Sequence, residues 1–153
     1  MNSLKIKFKI ASPERLVLET EVDSLTLPTS MGQITVLPNH VPLVAVLSPG
    51  EIKYISNNIE EYFVVSSGVI EIKNNNEVMV LAESADFVHE INLEQAEEAK
   101  ERAKKIMQEQ YKDEKLTADA VAVLEKNLAR IRFAHKHRTR TKKNLESGTI
   151  PNS

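Results

Sequence analysis

The sequence predicts an all-β N-terminal domain, a sandwich or flattened barrel, followed by an α-helical antiparallel hairpin. Three observations lead there. Apolar residues alternate with period two from Leu4 to Ala82, the mark of half-buried strands. After Phe87 the apolar period changes to three and four, the mark of an amphipathic helix. The charge also divides at that point. Residues 1–88 hold 6 Lys/Arg and 11 Asp/Glu, a balance of -5, whereas residues 89–153 hold 14 and 11, a balance of +3. Within a net charge of -2, an acidic half joined to a basic half points to units with different partners.

The first strand is the plainest. Leu4, Ile6, Phe8 and Ile10 alternate with Lys5, Lys7 and Lys9, giving one apolar and one basic face. Short runs follow at 16–18, 25–27, 34–37, 43–47, 52–55, 62–65, 69–72 and 78–81. Turn residues separate them: Ser12-Pro13, the segment 28–32, Pro38-Asn39, Ser48-Pro49-Gly50, Asn57-Asn58 and Asn74-Asn75-Asn76. About ten short strands with no helical pattern between them make a sandwich or barrel.

A first helix begins at Asn92, which suits an N-cap, with Gln95 three residues on and Ile91 just before it. Glu94, Glu97 and Glu98 put negative charge where the helix dipole favours it. The stripe of this helix is Leu93, Ala96, Ala99, Ala103, Ile106 and Gln110. A second helix starts near Thr117 with the stripe Val121, Leu124, Leu128 and Ile131, and the short polar link 111–116 folds the pair back on itself. The expected organisation is a β domain over 1–88, a helical hairpin over 89–135, and a basic tail over 136–153 that frays into disorder.

The chain of 153 residues lacks cysteine, which excludes disulfides, thiolate metal sites and cysteine nucleophiles. No apolar run approaches the ~20 residues of a membrane span. The N-terminus shows no secretory or transit pattern, so the product is expected to stay in the compartment where it is made. The glycines at 32, 50, 68 and 148 fit neither phosphate-binding pattern. His135 and His137 are two apart and point away from each other on a helix, so no metal site is expected. His40 sits in the turn Pro38-Asn39-His40-Val41-Pro42 with no visible nucleophile to serve. Seven Lys/Arg from Arg130 to Lys143 would neutralise phosphates, but no aromatic interleaves with them beyond Phe133.

These parts, taken in order, resemble the epsilon subunit of bacterial F-type rotary ATP synthases across residues 4–134. Gly32-Gln33-Ile34-Thr35-Val36-Leu37-Pro38-Asn39-His40-Val41-Pro42-Leu43 is similar to the family's Gly-Glu-x-Gly-x-x-Pro-x-His-x-Pro-Leu. Ser67-Gly68-Val69-Ile70-Glu71-Ile72 is similar to its Gly-Gly-x-x-Glu-Val strand. Glu97-Glu98-Ala99-Lys100-Glu101-Arg102-Ala103 and Leu128-Ala129-Arg130-Ile131-Arg132-Phe133-Ala134 resemble its two helices.

The resemblance implies a ten-stranded β-sandwich with a helical hairpin, acting as a non-catalytic central-stalk (rotor) subunit. It would couple the gamma subunit to the membrane c-ring, peripherally on the cytoplasmic face of the bacterial membrane. The segment 32–42 would face the ring, making Gln33, Pro38, Asn39, His40 and Pro42 contact residues. The hairpin would reach the beta and alpha subunits and block ATP hydrolysis, with Lys126, Arg130, Arg132 and Lys136 against an acidic surface. Two departures fall in the contact segment: Gln33 stands for the family's acid, and Thr35 for its second glycine. Some members bind ATP through Ile/Leu-Asp-x-x-Arg-Ala at the first helix. Here Asn92 and Gln95 replace the acid and the arginine, which removes a charge and a guanidinium fork, while Arg102 and Arg130 keep later matching positions. No cofactor is therefore expected, and regulatory ATP binding stays open. The alternative is a stand-alone β-sandwich binding module whose basic arm takes nucleic acid or an acidic protein.

Overall fold

A computed structural model describes residues 4–146, and from residue 139 onward only the backbone. The chain divides into two compact units at Phe87/Val88.

The first unit holds ten strands among the described residues: β1 Ile6–Ala11, β2 Leu16–Val22, β3 Ser24–Thr29, β4 Gly32–Val36, β5 Leu43–Leu47, β6 Gly50–Ser56, β7 Ile59–Val65, β8 Gly68–Lys73, β9 Glu77–Ala82 and β10 Ala85–Phe87. They form one sheet in the order β10-β7-β6-β3-β5-β8-β9-β1-β2, with β4 beside β3. The far strand β2 returns to β6, where the Ser56 hydroxyl donates to the Glu21 carbonyl at 2.9 Å and the Asp23 amide to that of Ile55 at 2.7 Å. The sheet thus nearly closes, as an all-β reading of the sequence expects.

The period-two pattern explains the core. Ile6, Phe8 and Ile10 are buried, and so are Leu25 and Leu27, Ile52 and Tyr54, Ile70 and Ile72, Val78 and Val80. Aromatic rings run through it: Phe8 meets Tyr54 edge-on at 5.8 Å between centroids, Tyr54 stacks on Phe63 at 6.1 Å, and Phe63 lies 4.0 Å from Phe87. Burial pushes the Tyr54 phenol up to about 12, with the charge of Glu61 adding to it. Pro28 sits where β3 changes partner. Ser24, Leu25 and Thr26 pair with β6, and Thr29 pairs with β5. A residue without an N–H fits the break between two ladders.

The second unit opens with a 3-10 turn, Val88–Glu90, then α1 Leu93–Glu109 and α2 Glu114–Glu146. The Asn92 side chain accepts from the Gln95 amide at 3.1 Å, so the expected N-cap forms. The link is shorter than expected, residues 110–113, and Asp113 caps α2 by accepting from the Leu116 amide at 3.1 Å. Helix α2 also runs on to Glu146, through residues expected to belong to a frayed tail. Lys and Arg are good helix formers, and no Gly or Pro intervenes before Gly148. Residues 147–153 of that tail lie outside the described residues.

The packed edges differ from the expected stripes. On α1 the buried positions are Ala96 and Ala103, while Ile106 is exposed. On α2 they are Ala120, Asn127, Phe133 and Ala134, and Leu128 is exposed. Val121, Leu124 and Ile131 are half-buried. Small residues at seven-residue spacing let the two backbones approach, and the larger side chains flank the seam instead of filling it.

Candidate functional site

The described residues hold no cluster of three or more His, Asp or Glu placed for a metal ion, and no helix among them is long and apolar enough to cross a membrane. The features left are surfaces.

The most distinct surface comes from strand register. Val46 of β5 pairs with Val69 of β8, Val69 with Leu81 of β9, Leu81 with Ala11 of β1, and Ala11 with Leu16 of β2. Directly paired residues share a face of a sheet. Val46 is 57% exposed, Val69 46%, Leu81 53% and Leu16 54%. Five adjacent strands therefore present one continuous apolar row to solvent, about 19 Å wide at strand spacing. One pair further along, the same face becomes mixed, with Val44, 70% exposed, opposite Glu71. Glu71 pairs with Met79, and Lys9 bridges Glu19 at 3.5 Å and Glu77 at 3.9 Å. An exposed apolar row of this kind is a candidate contact surface. A groove of about 410 Å³ lies beside it, lined by Ala11, Pro13, Gly68, Val69 and Leu81 among others.

Sequence reasoning missed this row. Its signal lies in Leu43-Val44-Ala45-Val46-Leu47, where the expected alternation fails and both faces of the strand are apolar.

The residues expected to contact a ring lie toward the two ends of β4. Gln33 is exposed at the start of β4, opposite Pro28. Pro38, Asn39, His40 and Pro42 lie in the loop beyond the other end of that strand, about 10 Å further on from Gln33 to Val36 alone. In that loop the His40 amide donates to the Leu37 carbonyl at 3.2 Å, His40 Nδ1 lies 2.6 Å from the Val41 carbonyl oxygen, and Asn39 takes φ 67°. The Asn39 amide donates to Asn76 Oδ1 of the β8–β9 turn at 2.5 Å. Thr35 is an ordinary strand residue, its hydroxyl 3.3 Å from that of Thr26, so the missing glycine is not needed there. The positive φ of the segment falls on Gly32, at 109°.

The hairpin cations also divide. Lys126 and Arg130 are four apart, as are Arg132 and Lys136, but at 100° per residue the two pairs lie about 120° apart around α2. Lys126, Arg132 and Lys136 are exposed, while Arg130 is half-buried and reaches Asn127 Oδ1 at 3.5 Å. Arg132 and Lys136 flank the Phe133 ring, at 5.0 and 5.8 Å from its centroid. Of the four residues matched to a nucleotide site, Asn92 and Gln95 are joined in the α1 cap. Arg102 stands exposed along α1. The fold-back about residues 110–113 sets it level with Val121, about 13 Å of helix axis from Arg130.

Comparisons with known proteins agree with this architecture. Residues 5–88 match the family model described as ATP synthase, Delta/Epsilon chain, beta-sandwich domain. The chain is 37% identical to an ATP synthase epsilon chain of Dehalococcoides mccartyi, over 88% of this chain and 95% of that one. It is 36% identical to one of Nitratidesulfovibrio vulgaris, over 83% and 93%, and 34% identical to one of Herpetosiphon aurantiacus, over 90% and 99%. Among solved structures, a chain of the Euglena gracilis mitochondrial ATP synthase matches with a TM-score of 0.63 at 24% identity, covering 79% of this chain and 76% of that one, which shows the shared fold. With a β-sandwich that the family model spans and relatives matched over nearly their whole length, this chain belongs to the ATP synthase epsilon chain family.

Proposed function

We propose that this chain is a non-catalytic central-stalk subunit of a bacterial F-type ATP synthase. Its β unit docks on the gamma subunit and the c-ring, with the loop of Pro38, Asn39, His40 and Pro42 facing the ring, and its helical hairpin restrains ATP hydrolysis at the beta and alpha subunits. The complex holds it peripherally at the cytoplasmic face of the cell membrane. The observation that carries this reading is the apolar row Val46, Val69, Leu81 and Leu16 on the outer face of the sheet. Such a row gains by burial against a partner, at about 25 cal/mol per Å² of apolar surface removed from water. Family membership leaves the free-standing nucleic-acid module without support.

Placing Val69→Glu in the chain tests the docking. The residue faces solvent, so the fold tolerates the change, but the other synthase subunits should no longer co-purify with the tagged chain. Full recovery of the complex with Val69→Glu and with Val46→Glu would remove the row from the stalk interface. Deleting residues 89–153 tests the restraint separately: ATP hydrolysis by the reconstituted enzyme should rise, and an unchanged rate would strip the hairpin of its inhibitory role while leaving docking intact.

A further inference from the structure

We propose that Asn76 positions the His40 loop for its contact with the ring; the functional half of this inference rests on the ring-facing reading above. The loop has its own shape. Pro38 and Pro42 fix φ at two points, and the His40 amide closes a turn on Leu37. A rigid loop still needs to be aimed. Among the described residues, the hydrogen bond from the Asn39 amide to Asn76 Oδ1 is the one that ties residues 38–42 to another part of the unit.

Asn76 is suited to this in two ways. It is the last residue of the three-residue connection between β8 and β9, at φ 58°, the left-handed position such connections require. Its carbonyl meanwhile accepts from the Lys7 amide at 2.7 Å, which pins its backbone to β1. The position therefore demands both tolerance of positive φ and a short side-chain acceptor. Asn and Asp meet both demands, whereas Gly meets only the first.

That difference supplies the experiment. In the full chain, Asn76→Gly should speed amide exchange at Asn39 about fivefold, which is ~1 kcal/mol for one hydrogen bond. In the assembled synthase it should lower proton pumping per ATP hydrolysed. Asn76→Asp should keep both values near those of the unaltered chain. Unchanged exchange at Asn39 in Asn76→Gly, or exchange raised equally throughout β8 and β9, would overturn the clamp. Faster exchange at Asn39 with normal pumping, while His40→Ala lowers pumping, overturns the positioning role and leaves the ring-facing loop standing. Normal pumping in both variants overturns the ring-facing reading and the positioning role with it.

Discussion

Gly68 is expected to be the most intolerant small residue of the β unit. It pairs with Leu47 of β5 on one side and Ala82 of β9 on the other. A methyl group built on it would lie 1.9 Å from the Leu81 carbonyl oxygen and 2.9 Å from the Ala82 Cα, both backbone atoms. Carbon–oxygen contacts across a sheet sit at about 3.3 Å or more, so Gly68→Ala forces the end of β9 away by more than an ångström. Overpacking of this kind costs about 2–3 kcal/mol. In a unit of this size each kcal/mol moves the melting midpoint by roughly 4–8 °C, so a fall of about 10–20 °C is expected. Calorimetry of the full chain reads it directly. Val69→Ala, at the exposed neighbouring position, is the control and should shift stability by no more than about 0.5 kcal/mol. A Gly68→Ala chain melting within a few degrees of the unaltered one would refute the close-approach account.

Asn92→Ala should destabilise α1 by about 1 kcal/mol through loss of the bond to the Gln95 amide, whereas Asn92→Asp should keep or improve it because a carboxylate suits the helix N-terminus; helix amide exchange separates the two. The Lys5 ammonium, and then the Asn57 amide, hold the Asp23 carboxyl below the ordinary aspartate value. A depressed carboxylate contributes stability that is present above the unfolded pKa of about 3.9 and lost as pH falls through the lower folded value. Denaturant titrations between pH 5 and 2 should therefore show a shallower acid loss for Asp23→Asn than for the unaltered chain. Tyr54, pushed up to about 12 by burial, acts in the opposite sense. Its neutral form is favoured by folding, so stability falls as pH rises above the unfolded value near 10, and Tyr54→Phe should flatten the alkaline limb of the same curve.

The sequence made the β unit legible because burial there follows local alternation: Ile6, Phe8 and Ile10 declare their face without help from any other strand. The apolar row was not legible, because Val46, Val69, Leu81 and Leu16 become neighbours only through the register of five strands, and periodicity carries no register. Gln33 and His40 show the converse. They are close in sequence and belong to one family motif, yet an extended strand stands between them. In the hairpin, the cap at Asn92 followed from side-chain chemistry, which is local. The seam did not, since hydrophobicity points to Leu128 whereas close approach of two helices selects Ala120, Asn127 and Ala134. The length of α2 was underestimated because its apolar period ends near Ala134, although helix propensity does not.

The seam between α1 and α2 has a consequence for how the hairpin comes apart. Its buried side chains at seven-residue spacing are alanines, with Asn127 the polar exception. Asn127 spends its amide inside α2, donating to the Val123 carbonyl at 2.8 Å and accepting from Arg130. Unzipping the helices thus breaks no hydrogen bond from Asn127 to α1, and at the seven-residue positions it wets methyl groups and one already satisfied amide, while Val121, Leu124 and Ile131 begin half in water and Phe133 is the large buried ring of α2. Each separated helix keeps its own backbone bonding. A seam closed by small side chains costs less water-exposed apolar area on opening than a leucine-filled one would.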